Sequence, residues 1–106
     1  MRGDYLGEFE QIVMLAVARL NEGYGMEILR EIEVRTGRAA SLGAVYATLD
    51  RLADKGCLRV RRDHIAGRPR WFFRLTPEGI TALETVREIQ AQMWSGLSLR
   101  RSKSRS

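Results

Sequence analysis

The spacing of apolar residues changes twice along this chain, and the change limits the folds open to it. Up to about residue 55, apolar residues recur every three or four positions, which is the period of an amphipathic helix. Between residues 57 and 75, apolar and basic residues alternate, as they do in a half-buried strand. The helical period then returns. The pattern therefore predicts several helices, a pair of strands and one further helix.

Cap and turn residues divide the first part into three helices. The first is predicted over residues 6–21 and the second over residues 25–36, where Gly37 is a typical end. The third is predicted over residues 42–55, with Ser41 as its N-cap. Each segment carries an apolar stripe at helical spacing, so we expect each to bury one face against the others.

Turn residues also place the strands and the last helix. The first strand is followed by a loop predicted over residues 64–69 and by a second strand over residues 70–75. Thr76 is a good N-cap and Pro77 suits the first helical position, so a helix is predicted from there to about residue 95. This order of elements indicates an α+β, mostly α, fold: a winged helix-turn-helix with three helices, a two-stranded wing and a C-terminal helix.

The length of 106 residues fits one compact unit with a modest core. We expect a winged helix-turn-helix DNA-binding domain over residues 1–75, a C-terminal dimerisation helix over residues 76–97 and a basic, disordered tail over residues 98–106. A core this small cannot cover the whole apolar stripe of the last helix, so a second copy related by a two-fold axis is predicted to cover it. The predicted dimerisation residues are Ile80, Leu83, Val86, Ile89, Met93, Trp94 and Leu97.

Composition is typical of a soluble globular protein, with 44% apolar and 29% charged residues. The longest apolar run, residues 12–18, is far shorter than the ~20 residues that a membrane span needs, and no secretory signal is visible. The single cysteine, Cys57, cannot form an intrachain disulfide and fits a reducing compartment. We therefore expect a cytoplasmic protein with no membrane partner.

Positive charge is concentrated in the hairpin. The formal net charge is +5; residues 59–74 hold six arginines against a single acid, Asp63, and residues 100–106 hold four further basic residues. Clustered arginines release counterions from phosphates, so a polyanionic partner is expected. The hairpin arginines are interleaved with apolar residues, which places them on a folded element, whereas the tail is typical of a solubilising end.

Four short motifs occur in a specific order and spacing. They are Tyr24-Gly25, the stretch of residues 41–56 with Tyr46, Leu49 and Arg51, the run Gly67-Arg68-Pro69-Arg70, and the stretch of residues 73–79 that includes Thr76-Pro77. Together they resemble the PadR-type transcriptional regulators over about residues 6–95, and the single last helix resembles the small subgroup of that family. The resemblance implies a homodimeric winged-helix regulator, usually a repressor, that binds double-stranded DNA and dimerises through its C-terminal helix.

The third helix is predicted to enter the DNA major groove. Small side chains on its outward face would let the backbone approach base edges. Tyr46 offers a hydroxyl and Arg51 a guanidinium for phosphate or guanine, and Ser41 with the free helix amides suits a phosphate. The inward stripe is expected to be Leu42, Val45, Leu49 and Leu52. The predicted DNA-binding residues here are Ser41, Gly43, Ala44, Tyr46, Ala47 and Arg51.

The wing supplies the second predicted DNA contact. Arg68 and Arg70 flank Pro69, which stiffens the chain and lowers the entropy cost of fixing both arginines, so they are expected to contact phosphates or the minor groove. Tyr24 completes the predicted DNA-binding residues. One face of the hairpin is expected to pack on the helices. Stacking of single-stranded nucleic acid on exposed aromatic side chains is the alternative interpretation.

Other functions are also open at the level of sequence. Trp94 is placed to line a cavity at the dimer interface and to stack on a small planar aromatic effector, as some relatives do; the alternative is interface packing with no ligand. A winged-helix protein–protein interaction module without a DNA role, or a small-molecule-binding dimer, would fit the same elements. A gel shift on the promoter upstream of its own gene would separate the first of these from a DNA-binding regulator.

Catalytic chemistry finds no support in the sequence. His64 is the only histidine and lies in a predicted loop without an acidic or nucleophilic partner at a suitable spacing. Gly23-Tyr24-Gly25 lacks the preceding strand and the following lysine of a phosphate-binding loop. We therefore expect no enzyme activity, no cofactor and no metal.

Overall fold

The computed structural model describes residues 5–101 and contains four helices and one hairpin in the predicted order. The helices are α1 (Glu8–Leu20), α2 (Gly25–Thr36), α3 (Leu42–Asp54) and α4 (Pro77–Trp94), and the strands are β1 (Leu58–Ile65) and β2 (Arg68–Leu75). The predicted winged helix-turn-helix architecture is confirmed. Within residues 5–101, no helix is long and apolar enough to span a membrane.

The core lies where the first three helices meet. Each of them buries residues at positions i, i+3, i+4 and i+7, the stripe that a straight helix presents to its neighbours. Burial of each such aliphatic side chain contributes about 1.5–3 kcal/mol. From the hairpin, Leu58 and Phe73 close the core. The most deeply buried side chains are Val13, Met14, Val17, Ile28, Val45, Leu49 and Leu52.

Local capping fixes the ends of α3. The Ser41 hydroxyl accepts a hydrogen bond from the Ala44 amide at 3.0 Å, as predicted for an N-cap. At the other end, Gly56 adopts a left-handed φ of 81°. The Gly56 and Cys57 amides donate to the carbonyls of Ala53 and Leu52, which is a Schellman motif. This turn delivers the chain directly into β1.

The hairpin turn is shorter than the predicted loop over residues 64–69. β1 extends to Ile65 and β2 begins at Arg68, so only Ala66 and Gly67 connect them, both with positive φ. Two positive-φ residues form the turn whose twist matches that of the strands. The predicted loop is therefore wrong, because His64, Ile65, Arg68 and Pro69 all pair within the strands.

Pro69 is tolerated inside β2 because of the pairing register. Phe73 turns its amide away from β1 and bonds the Gly23 carbonyl at 2.8 Å, while Gly23 donates back at 3.1 Å. Hydrogen-bonding direction repeats every second residue, so Pro69, four residues earlier, also faces away from β1 and costs no bond of the ladder. The α1–α2 connection thus forms an isolated β-bridge to β2 at Gly23, which the sequence did not predict.

An acidic side chain in α1 ties three segments together. Glu10 is buried, accepts a hydrogen bond from the Gly7 amide at 2.9 Å and pairs with Lys55 Nζ at 3.0 Å. Lys55 also donates to the Tyr5 carbonyl. Burial alone would raise the pKa of Glu10, but the hydrogen bonds from Gly7 and Lys55 outweigh it and hold the pKa below the ordinary value of 4.5.

Replacing Glu10 with glutamine is expected to lower the free energy of unfolding at pH 7 by about 1–2 kcal/mol, since the Lys55 ammonium loses its charged partner. A lowered native-state pKa stabilises the fold above the unfolded-state pKa, and this contribution is lost as the pH falls through the native value. The difference between wild type and Glu10→Gln should therefore shrink below about pH 4.5. Urea unfolding at several pH values measures it. The exposed Glu8 provides the control Glu8→Gln, and equal effects of the two changes would contradict the assignment.

Candidate nucleic-acid interface

The outward face of α3 is open and lined by small residues. Gly43, Ala44 and Ala47 are all exposed, and a Cβ added at Gly43 would meet no atom within 4 Å. The first turn of α3 also presents backbone amides that the helix does not use, apart from the one that Ser41 caps. A helix with such a face allows close approach of its backbone to another surface.

Two residues of α3 are oriented differently from the prediction. Tyr46 was expected to face outward, but it is half-buried and its ring lies so close to Gly25 that a Cβ there would overlap it. Leu42 was expected to face inward, but it is exposed because it sits in the first turn, beyond the end of the buried stripe. Tyr46 therefore locks α3 against the start of α2 and lies at the edge of the open face.

Arg51 lies on the same exposed face as Ala47, one helical turn further on. Its guanidinium donates to the Thr48 hydroxyl at 3.2 Å and lies 3.5 Å from a Glu10 carboxylate oxygen. Just over half of the Arg51 side chain remains exposed, so these contacts orient the group without covering it.

The register of the hairpin sorts its arginines by face. Residues directly opposite each other share a face, so the pairs Arg59–Arg74, Arg61–Phe72, Asp63–Arg70 and Ile65–Arg68 lie on one side. Five of the six hairpin arginines are therefore on this side, which we call the arginine face. The other face carries the buried Phe73 and Leu58 near its base and packs on the helices. Further out on that face, Trp71 is half exposed and lies under the Arg62 guanidinium at 5.6 Å.

Arg61 is neutralised within the protein. Its Nε and one terminal nitrogen donate to the two oxygens of Glu22 at 2.7 and 2.8 Å, and its other terminal nitrogen donates to Asp63 at 2.6 Å. These hydrogen bonds lower the pKa of Glu22 and of Asp63, and they raise the pKa of Arg61. Residues 59–74 have a net charge of +5 by themselves, from six arginines and Asp63. Because Glu22 also pairs with Arg61, the hairpin presents less positive charge to a partner than this number indicates.

Arg70, in the outer half of the hairpin, reaches Tyr24 at the start of α2. The Arg70 guanidinium lies 5.1 Å from the centre of the Tyr24 ring, and the Tyr24 ring meets Phe72 edge to face at 5.7 Å. The Nε atom of Arg70 is buried and has no hydrogen-bond partner among the described residues. Arg68 is exposed beside the two-residue turn, at the tip of the wing.

The predicted DNA-binding residues thus form two groups. The α3 group comprises the exposed small residues with Ser41 and Arg51, and the wing group comprises Tyr24, Arg68 and Arg70. Sequence reasoning did not find the ion pair between Glu22 and Arg61, because the partners are 39 residues apart and neither lies in a motif. The hairpin register, once known, would have indicated the Arg61–Phe72 contact.

The predicted dimerisation helix is largely uncovered. Leu83 and Val86 are half-buried and pack on the core of their own chain, whereas Ile80, Ile89, Met93, Trp94 and Leu97 are exposed. Open grooves run along both sides of α4. The groove toward α1, of about 730 Å³, includes Leu15 and Leu83, and the groove toward the N-terminal segment, of about 1160 Å³, includes Leu6 and Ile89.

The sequence and the fold were compared with those of known proteins. The Transcriptional regulator PadR-like family matches residues 14–85. RosR from H. salinarum is 26% identical, with 88% of this chain and 81% of that chain covered and a TM-score of 0.69. A PadR family transcriptional regulator from Eggerthella lenta DSM 2243 is 25% identical, with 84% and 81% covered and a TM-score of 0.68. A winged-helix DNA-binding protein from STIV shares the fold at 20% identity, with 85% and 94% covered and a TM-score of 0.64.

The chain has no match among curated proteins. The family match nevertheless spans well over half of the sequence and includes α2, α3, the hairpin and the first half of α4. The elements that carry both groups of predicted DNA-binding residues therefore fall within the matched region. This chain belongs to the PadR-like family of transcriptional regulators, whose members are not enzymes.

Proposed function

We propose that this protein is a sequence-specific repressor that binds double-stranded DNA as a homodimer on a pseudo-palindromic operator. The observation that carries the proposal is the open small-residue face of α3 next to an arginine-bearing wing. A helix with little side-chain bulk fits the major groove, which is about 12 Å wide. Arginines on an adjoining flap suit the neighbouring phosphates or minor groove.

Each residue of the interface has a distinct role in this proposal. Gly43, Ala44 and Ala47 let the helix sink toward base edges, and the alanine methyls suit the thymine methyl group. Ser41 with the first amides of α3, and Arg51, contact phosphates. Tyr46 lies at the edge of this contact in α3, and Tyr24, Arg68 and Arg70 flank it from the start of α2 and from the wing. Residues 1–75 form the DNA-binding part and residues 76–97 the dimerisation helix.

Arg68→Ala is expected to weaken binding to all duplex sequences alike, because a phosphate contact at the wing tip carries no base information. If each protomer neutralises about 3–4 phosphates, log K should fall against log salt with a slope of roughly −5 to −7 for the dimer. In Arg68→Ala each protomer should lose one phosphate contact, so the slope should become less negative by about 1 for each protomer. Fluorescence anisotropy of a labelled duplex at several salt concentrations measures both values. An unchanged slope in the variant would remove Arg68 from the phosphate contacts, and salt-independent wild-type affinity would contradict DNA binding itself.

Dimerisation through α4 is supported by its exposed apolar residues. Large contiguous apolar patches on a protein surface mark interaction sites, and a two-fold related copy of the same helix offers a complementary one. Such a dimer places two copies of α3 on the same side, which predicts operator half-sites about 10 bp apart, or a multiple of it.

Ile89→Asp is expected to convert the dimer to monomer, because a carboxylate would be buried in an apolar interface without a partner. Light scattering after size exclusion gives the mass, and duplex affinity should fall by more than tenfold since each half-site then binds alone. Glu88→Asp, at the neighbouring exposed position, is the control. A wild-type protein that runs as a monomer at micromolar concentration, or an Ile89→Asp variant that stays dimeric, would contradict this interface.

A small planar aromatic effector forms the last part of the proposal. Trp94 is half exposed near the end of α4 and does not line either of the two grooves described above. A flat ligand would therefore stack on Trp94 only where a second copy supplies the opposite wall. Planar aromatic compounds should quench tryptophan fluorescence in wild type and should quench it less in Trp94→Phe. Trp71 is present in both proteins, so the difference between them reports stacking on Trp94.

A further inference from the structure

We propose that Arg61 is a positioning residue: through Glu22 and Asp63 it sets the angle of the wing, and it contacts no phosphate. The inference rests on the proposed function, because it concerns how the wing meets DNA. It separates Arg61 from the other arginines of the hairpin, which composition alone treats as one basic cluster.

All three nitrogens of the Arg61 guanidinium already donate to carboxylates, which weakens its attraction for a phosphate. Both oxygens of Glu22 and one of Asp63 occupy three separate donor atoms of the group. One side of the guanidinium plane lies 4.8 Å from the centre of the Phe72 ring. A phosphate that approached Arg61 would also approach two carboxylates, and their repulsion offsets the attraction of the single cation.

Glu22 is itself anchored. The next residue, Gly23, pairs with Phe73 through two backbone hydrogen bonds, so the connection between α1 and α2 is fixed to β2 at that point. The Glu22–Arg61 pair then joins the same connection to the middle of β1. Most of the Glu22 side chain is covered, which holds the carboxylate in one place. Fork-to-fork pairing of this kind fixes direction as well as distance.

A small rotation of the hairpin at Arg61 produces a large displacement at the tip of the wing. Arg61 lies five residues before Ala66, and a strand advances about 3.3 Å per residue, so the tip is roughly 17 Å further out. A rotation of ~10° at Arg61 therefore displaces Arg68 by about 3 Å, which is enough to break a hydrogen bond to DNA. A small loss of order at Arg61 is therefore amplified at Arg68, the predicted DNA contact.

The test asks whether Glu22→Gln strengthens or weakens DNA binding. Removing an acid near a DNA interface ordinarily strengthens binding, because the protein becomes more positive. If Glu22 acts by holding Arg61, Glu22→Gln instead weakens binding, by about fivefold, because the wing loses the pair that orients it. Arg61→Gln should weaken binding to the same extent, and the double variant no further, since both changes remove one interaction.

Three comparisons separate positioning from direct contact. Arg61→Gln should leave the salt slope unchanged, whereas Arg68→Ala reduces it. Arg61→Lys keeps the charge but not the forked geometry, so it should not restore wild-type affinity. Asp50→Asn, which removes an exposed acid from the α3 face, should maintain or raise affinity. Tighter or unchanged binding by Glu22→Gln, a reduced slope in Arg61→Gln, or full affinity in Arg61→Lys would each overturn the proposal.

A measurement without DNA distinguishes failure of this inference from failure of the proposed function. Amide hydrogen exchange in the outer half of the hairpin should be faster in both Glu22→Gln and Arg61→Gln than in wild type, while exchange in α3 stays the same. Equal exchange in the hairpin of all three proteins would overturn the proposal. If wild type failed to bind any duplex, the proposed function would fall, and the exchange data would still decide whether Arg61 holds the wing.

Discussion

Ala47→Leu is expected to weaken specific operator binding strongly while leaving the fold intact. Ala47 is exposed on the open face of α3, so the added side chain would point toward solvent. Within a major-groove contact, the same side chain would hold the helix away from the base edges. Overpacking of a close-fitting interface costs about 2–3 kcal/mol, which corresponds to a loss of roughly 30- to 150-fold in affinity.

The measurement is a titration of a labelled operator duplex, accompanied by thermal unfolding of the free variant. Ala47→Ser, which adds a single small atom at the same site, should bind within about threefold of wild type. Since leucine is a good helix former, the unfolding temperature of Ala47→Leu should not fall. Full operator binding by Ala47→Leu would mean that α3 does not enter the groove.

Gly79→Ala is expected to be the most destabilising single substitution in the chain for its size. Gly79 lies in the first turn of α4, and its amide donates to the Thr76 cap at 3.0 Å. An added Cβ would overlap the backbone carbonyl of Cys57, which cannot rotate away. Because α4 must then shift from β1, we expect a loss of about 3 kcal/mol or more and a fall in the unfolding temperature on the order of 12–20 °C.

Gly43→Ala is the matched control, with the opposite expected sign. Gly43 is also in the first turn of a helix, but its surroundings are open. Alanine there should raise the free energy of unfolding by about 0.5 kcal/mol, because it restricts the unfolded chain and favours the helix. Both variants are compared by urea unfolding at equal protein concentration, since dimer stability depends on concentration. Similar effects of the two substitutions would contradict the close approach of α4 to β1.

Local signals in the sequence were enough to predict the elements. Gly25 and Thr36 bound α2 as predicted: the Tyr24 amide donates to the Glu27 carboxylate at 3.1 Å at the start, and Gly37 ends the helix with a left-handed φ of 70°. The same holds for α3, where Ser41 caps the start and the Schellman turn at Gly56 ends the helix. Such interactions depend on residues a few positions apart, so a linear reading is able to find them.

Interactions between distant segments were not predictable in this way. The Glu22–Arg61 pair, the Glu10–Lys55 pair and the packing of Tyr46 on Gly25 each join segments that only the tertiary fold brings together. Nothing in the local sequence distinguishes Arg61 from the other hairpin arginines. The prediction of the hairpin loop was wrong for a different reason. A proline is acceptable within a strand only in a particular pairing register, and the sequence does not reveal that register.

Methylation interference on the operator tests most directly whether α3 and the wing enter a duplex. Guanine N7 lies in the major groove, so methylation there should prevent binding within two half-sites related by a two-fold axis and about 10 bp apart, or a multiple of it. Adenine N3 methylation, in the minor groove, should interfere only at the flanks that the wing reaches. Binding that tolerates N7 methylation throughout the protected sequence would show that α3 lies outside the major groove.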